Sequence, residues 1–254
     1  MLHHERRGSG PQLLYCNGSG ASLRSVRPLL NVLSAQFDLL AFDYRGMGDS
    51  EPVTEPYTMA DVAADVAGLL DTVGWQRTAL VGLSFGGMVA QEFAVTFPDR
   101  VSRLALLSTS PGGEFASYPL DTLAELPAGE RDARSLRLSD RRWTPAWLAA
   151  HPDQAAMVAA YTAAAPTEET EAQITGRLLQ MQARKGFDAT DRLHGVTCPT
   201  FVGSGRFDDI APLANGRAIA DRIPDATLHI YEGGHMFMAQ DPAAWPQIIE
   251  FLSA

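Results

Sequence analysis

Disulfide and thiolate-metal chemistry have little to draw on here: only Cys16 and Cys198 occur in the 254 residues. Each lies inside a short apolar run and reads as a small buried hydrophobe, because two cysteines are too few for a disulfide framework or a metal cluster. Lysine is almost absent, with Lys185 alone among 20 basic side chains. Positive charge is also in deficit, since 30 acidic against 20 basic residues leave a formal net charge of −10 with the histidines neutral. Such a chain repels a polyanion, which argues against nucleic acid as a partner. No apolar run approaches the roughly 18 to 20 residues that span a bilayer. Residues 1–10 lack the apolar stretch of a secretory signal. A cytoplasmic chain with no membrane partner is therefore expected. Internal repeats and low-complexity tracts are missing too.

What is present is core-forming. Hydrophobic residues make up 46% of the chain and charged ones 20%, too apolar for a disordered chain. The length suits one large core, or a domain of about 150 residues carrying a smaller insertion. Short apolar runs at 12–16, 37–42, 78–83, 103–107, 199–202 and 226–231 are bounded by turn residues. Near-continuous runs of this kind mark strands buried on both faces. Helical patterns at 21–35, 58–73, 84–97, 213–222 and 242–252 alternate with them. The alternation predicts an α/β fold with a mostly parallel central sheet flanked by helices.

Between residues 111 and 187 the strand signal stops and the pattern turns helical. Helix starts are read at Thr144-Pro145 and at Thr167 followed by Glu168 and Glu169, each a capping hydroxyl before proline or acids. The stretch also carries Phe115, Tyr118, Trp143, Trp147 and Tyr161. The expected organisation is a core of residues 1–110 and 188–254 with a helical cap insertion at 111–187. The cap is expected over the C-terminal edge of the sheet, where open parallel sheets bind ligands.

After the run at 78–81 comes Gly82-Leu83-Ser84-Phe85-Gly86-Gly87 and then a helical pattern at 88–97. G-x-S-x-G between a strand and a helix is a nucleophile elbow, a strained turn that small neighbours make possible and that lifts the serine hydroxyl above the sheet. A serine hydroxyl needs a base to take its proton and a third group to orient that base. An acid and then a histidine should therefore follow downstream, each just beyond a strand. Past the run at 199–202 stands Gly203-Ser204-Gly205-Arg206-Phe207-Asp208-Asp209-Ile210-Ala211-Pro212, and past 226–231 stands Glu232-Gly233-Gly234-His235. The chain order serine, aspartate, histidine fits the elbow arrangement.

With these residues the chain resembles the α/β-hydrolase family, in particular its small, capped, cofactor-independent members, over nearly all of its length outside 111–187. Asp43-Tyr44-Arg45-Gly46-Met47-Gly48-Asp49-Ser50 is similar to the family's D-x-R-G-x-G-x-S turn, Gly205 to Pro212 to its G-x-x-D-x-x-x-P acid loop, and Gly234-His235 to its terminal G-H. The resemblance implies Ser84 as nucleophile, His235 as general base and then acid, and Asp208 as the group that orients His235, with Asp209 the alternative. The other acid position used in the family, after the run at 103–107, reads Ser108-Thr109-Ser110 and offers no carboxylate. An oxyanion hole would form from the backbone N–H of Phe85 and that of Ser19, with Gly18 the alternative to Ser19. Asn17 stands where the family usually has histidine. Only residues 2–7 precede Gly8-Ser9-Gly10, enough for one short strand, so the sheet is expected to lack the family's first edge strand. The resemblance implies no cofactor and no metal.

The remaining histidines, His3, His4, His151, His194 and His229, show no metal-ligand spacing. Arg141 and Arg142 are either a clamp for a substrate carboxylate or a solvated helix end. Met88, Trp143, Trp147, Met236 and Phe237, with Phe85 and Met238, either line an apolar chamber or belong to the core. The expected activity is that of a serine hydrolase acting on a small-molecule ester, lactone or thioester with an apolar acyl or ring moiety, through an acyl-enzyme. Alternatives on the same triad are a carbon-carbon bond hydrolase or a perhydrolase or haloperoxidase-like enzyme. An acyltransferase and a non-catalytic ligand receptor are the alternatives of other classes.

Overall fold

The computed structural model describes residues 1–163 and 170–254, with the side chains of Ala128 and Tyr161 excepted. The helix start read at Thr167 to Glu169 lies outside the described residues, as does the side chain of Tyr161. Strands are β1 His4–Arg7, β2 Gln12–Cys16, β3 Asp38–Phe42, β4 Thr78–Leu83, β5 Val101–Leu107, β6 Thr200–Gly205 and β7 Ala226–Tyr231. Helices are α1 Arg27–Ser34, α2 Met59–Thr72, α3 Phe85–Thr96, α4 Ala128–Ser139, α5 Pro145–Ala150, α6 Pro152–Ala163, α7 Glu171–Lys185, α8 Leu213–Ala220, α9 Phe237–Gln240 and α10 Ala244–Ser253.

One sheet runs in the order β1-β3-β2-β4-β5-β6-β7. All neighbours pair in parallel except β1, which pairs antiparallel with β3 from His4 opposite Phe42 to Arg7 opposite Leu39. Side chains alternate across the sheet because successive residues of a strand point to opposite faces. Leu14, Cys16, Leu40, Phe42, Leu80, Leu104 and Leu106 pack with α2 and α3 on one face. Leu13, Tyr15, Leu39, Ala41, Val81, Ala105 and Leu107 pack with α1 and α10 on the other. Burial on both faces is why these strands read as continuous apolar runs.

Among the described residues, side-chain caps set the starts of three helices. Thr58 and Asp61 form a reciprocal capping box at α2, and Thr170 and Gln173 form another at α7. Thr144 caps α5, with proline in its first turn. Two elements depart from the sequence reading. β6 continues to Gly205, because Gly203, Ser204 and Gly205 pair with His229, Ile230 and Tyr231 although they lack strand propensity. The four-residue α9, directly after Met236, has too short a pattern to show by periodicity.

The segment joining β5 to β6 carries α4 to α7, and its Leu123 and Leu138 form a small apolar cluster with Ile210 of the loop after β6. The chain enters and leaves it through one neck. Ala189 N–H donates to the Pro111 carbonyl at 2.8 Å, and Gly112 bridges Asp188. Among the described residues no helix is long and apolar enough to cross a membrane. Leu80, 0% exposed at the centre of the sheet, gives a direct measure of this core. Leu80→Ala should lower the unfolding free energy by about 2 to 5 kcal/mol, read as an earlier urea midpoint with unchanged slope.

Candidate active site

Five parallel strands deliver loops to one end of the sheet: β2 leads to Asn17, β4 to Ser84, β5 to Ser108, β6 to Asp208 and β7 to His235. Ser84 sits between β4 and α3 at φ 55° and ψ −116°, backbone that costs a non-glycine residue on the order of 1 to 3 kcal/mol. The neighbours make room. A Cβ on Gly86 would lie 2.0 Å from the Cys16 carbonyl oxygen, and one on Gly82 would lie 2.3 Å from that of Gly86. Ser84 N–H donates to the Leu107 carbonyl at 2.9 Å, which ties the elbow to β5. Phe85 is the first residue of α3, so its N–H has no intrahelical acceptor and lies at the positive end of the helix dipole.

Asp208 is 1% exposed, and its Oδ1 accepts from the N–H groups of Ile210 and Ala211 at 2.8 and 2.9 Å. Its Oδ2 lies 2.8 Å from His235 Nδ1. An ionised carboxylate can only accept, so Nδ1 is the donating nitrogen in this contact and Nε2 is left clear of Asp208. Asp209 faces away, with its carboxylate 3.3 Å from Arg141. Of the two neighbouring acids, Asp208 is thus the one that meets the imidazole. Among the described residues no hydrogen bond joins Ser84 Oγ to His235; such contacts often tighten only in the substrate complex.

Two hydroxyls that the sequence reading passed over join the loops. Ser108, buried and at φ 46°, donates from Oγ to the His235 carbonyl at 2.8 Å. Thr109 donates from Oγ1 to the Ser84 carbonyl at 2.7 Å. The Ser108-Thr109 pair therefore clamps the backbone of both Ser84 and His235 from the end of β5. In sequence it showed only as the place where a carboxylate is lacking, and no local pattern signals a hydroxyl aimed at a carbonyl more than a hundred residues away.

The loop after β2 lies against the elbow, since a Cβ on Gly18 would come 3.9 Å from Ser84 Cβ. Gly18 N–H is taken by Asn17 Oδ1 at 2.9 Å and Gly20 N–H by Gln180 Oε1 at 2.8 Å. Ser19 N–H has no acceptor among the described residues. Of the two alternatives at this loop, Ser19 is the one with a free donor.

The apolar candidates divide. Met88 belongs to the core beneath α3. Phe237 is 0% exposed and stacks on Tyr231 with centroids 4.7 Å apart. Phe85 packs edge-on against Tyr44. Trp147 stacks on His151 at 3.8 Å, whereas Trp143 is buried and Met236 half-buried. Arg141 is exposed just past the end of α4, whereas Arg142 is half-buried. Arg142 binds the buried Asp140 through Nε and Nη2, and Arg141 Nη2 donates to the Arg206 carbonyl at 2.9 Å. Asp140 also accepts from Gln240 Nε2, whose Oε1 accepts from Gly234 N–H. The end of α4 reaches the same loops, because Ser139 O accepts from His235 N–H at 2.6 Å and Leu138 O from Asp209 N–H at 3.0 Å. A cation could be sought at His3, Asp43 and Asp49, but there Asp43 already accepts from Leu23 N–H, Asp49 N–H and His3, and Asp49 pairs with Arg24.

A family model described as the alpha/beta hydrolase fold matches residues 11–242. A poly(3-hydroxyalkanoate) depolymerase of Ectopseudomonas oleovorans is 30% identical over 244 residues, 94% of this chain and 83% of that one. A 3-oxoadipate enol-lactonase of Acinetobacter baylyi is 23% identical, covering 94% of this chain and 87% of that one. The crystal structure of the enol-lactonase from Burkholderia xenovorans superposes with a TM-score of 0.79 at 27% identity, over 100% of this chain and 96% of that one.

The Ser108 contact can be tested on the imidazole itself. Ser108→Ala should release the His235 carbonyl and broaden or shift the His235 ring signals in the NMR spectrum, while the melting temperature falls by only a few degrees, the equivalent of about 1 kcal/mol.

Proposed function

The chain belongs to the α/β-hydrolase family, and from that premise we propose that it is a serine hydrolase cleaving a small ester, lactone or thioester through an acyl-enzyme. The observation that carries this reading is the 2.8 Å hydrogen bond between His235 Nδ1 and the buried Asp208, with Ser84 held at an elbow at the same end of the sheet, after β4. Ser84 Oγ attacks the carbonyl carbon and His235 Nε2 takes its proton. The negative charge on the carbonyl oxygen meets the N–H groups of Phe85 and Ser19. As the carbon-oxygen or carbon-sulfur bond breaks, His235 returns its proton to the leaving group. Water, deprotonated by His235, then hydrolyses the acyl-enzyme and frees Ser84. Asp208 keeps the imidazole in one tautomer and stabilises its charged form.

In this proposal residues 1–110 and 188–254 form the catalytic core, and residues 111–187 form a cap over the strand ends. The neck at Pro111 and Ala189 supports that division, as do the bonds from Leu138 and Ser139 to the catalytic loops. Trp143 and Met236 are the aromatic and flexible side chains left to face an apolar acyl or ring moiety, since Met88 and Phe237 are held in the core. The enol-lactonase relatives favour a lactone or ester over a carbon-carbon substrate.

A fluorophosphonate probe followed by intact-mass spectrometry should give a single adduct that is lost in Ser84→Ala. The same substitution should lower kcat on a chromogenic ester by about 10⁴-fold or more. Turnover should fall on the acidic side as His235 is protonated and loses its capacity to accept from Ser84. A folded wild-type protein that takes no adduct, or whose turnover is flat through the histidine range, would overturn the proposal.

A further inference from the structure

The N–H groups on either side of Ser19 are each taken up by a buried side-chain amide. Asn17 Oδ1 accepts from Gly18 N–H at 2.9 Å, and Gln180 Oε1 accepts from Gly20 N–H at 2.8 Å. Asn17 is 1% exposed and Gln180 is 0% exposed. Asn17 is fixed from both layers, because Tyr15 donates to its Oδ1 and Tyr44 to its carbonyl oxygen, each at 3.0 Å. Gln180 comes from α7, 160 residues along the chain from Gly20. That helix is pressed against the turn after β3, where a Cβ on Gly176 would lie 2.0 Å from the Gly46 carbonyl oxygen.

Both amides leave their nitrogens, Asn17 Nδ2 and Gln180 Nε2, buried without a partner among the described residues. An unmet buried donor destabilises a fold by about 1 to 3 kcal/mol, so an apolar side chain would serve packing better at either place. What the amides provide is an acceptor at a backbone N–H beside Ser84. Preorganised donors stabilise an oxyanion because they need no reorientation when charge develops. A loop with three free N–H groups has several orientations to choose from, and one with two of them held has far fewer.

We propose that Asn17 and Gln180 are positioning residues for the oxyanion site, holding the N–H groups of Gly18 and Gly20 so that, of this loop, only Ser19 N–H joins Phe85 N–H at the substrate oxyanion. The proposal rests on the serine hydrolase reading above. It gives the insertion a chemical role, since Gln180 makes the orientation of the loop depend on α7 being docked. It also accounts for Asn17 at a position where the family usually has histidine: the short amide reaches its own neighbour's N–H.

The test uses Gln180→Met, which keeps the length and removes the acceptor, and Gln180→Asn, which keeps the amide but cannot reach Gly20. Both are compared with wild type on a chromogenic ester, and by inhibition with an arylboronic acid, whose tetrahedral Ser84 adduct carries an oxyanion. We expect kcat to fall about tenfold or more with KM within about twofold, and boronate affinity to fall by a similar factor. Binding of the carboxylate product should be unchanged. If kcat and boronate affinity stay within twofold in both variants, or if KM alone rises, the positioning role is overturned while the hydrolase reading stands. A wild-type protein that takes no fluorophosphonate adduct overturns both. Should Gln180→Met fail to fold, Gln180→Asn alone decides between these outcomes.

Discussion

The start of α3 approaches the end of β2 so closely that a Cβ on Gly86 would lie 2.0 Å from the Cys16 carbonyl oxygen and 2.6 Å from that of Asn17. This contact brings the Ser84 elbow and the Asn17 to Gly20 loop together, and it is available only where a residue has no side chain. Ser84 itself takes a positive φ, and the elbow needs small residues on both sides: a Cβ on Gly82 would lie 2.3 Å from the Gly86 carbonyl oxygen and one on Gly87 2.5 Å from Thr109 Cβ. Strain of this kind persists only when the surroundings over-determine it. Here the surroundings are Leu107, which accepts from Ser84 N–H, and Thr109, which donates to the Ser84 carbonyl.

A second close approach serves the other half of the site. A Cβ on Gly205, at the end of β6, would lie 2.0 Å from the Gly234 carbonyl oxygen, so the loops that carry Asp208 and His235 lie against one another. The Asp208 to His235 hydrogen bond is then a consequence of backbone packing, with each side chain reaching across a short gap. The end of α4 closes this pair from outside through Leu138, Ser139 and the buried Asp140, which binds Arg142 and Gln240. The segment joining β5 to β6 is therefore bonded to both halves of the site, at the Asp208 and His235 loops through α4 and at Gly20 through α7. The segment's small apolar cluster is itself shared with Ile210 of the Asp208 loop, and Ala183 and Phe187 pack into the main core, so its order depends on these contacts with the rest of the chain.

Much of this was legible without coordinates. Strands buried on both faces announce themselves as apolar runs, and the glycines of an elbow cannot be hidden, because a Cβ at either would collide with backbone. The order serine, aspartate, histidine was legible for the same reason: each follows a strand whose pattern is strong. Asp208 and Asp209 were harder to separate, since adjacent residues share every sequence context and differ only in which way the turn directs them. Arg141 and Arg142 left a clamp and a solvated helix end both open, because the sequence does not show that Arg142 turns back onto the buried Asp140 while Arg141 reaches Asp209. Phe237 and Met88 stood beside Ser84 and His235 in sequence, yet the pitch of α3 and α9 turns them into the core.

By itself the sequence determined the parallel sheet, the elbow at Ser84 and the loops that hold Asp208 and His235, because strand periodicity and tolerance for glycine are local properties of the chain. Tertiary structure alone decided which carboxylate meets the imidazole, that Ser108 and Thr109 clamp the backbones of His235 and Ser84, and that Gln180 takes the N–H of a glycine 160 residues away. Those are hydrogen bonds between residues far apart in the chain. Their energies depend on distance and angle in space, for which residue type and spacing carry no signal.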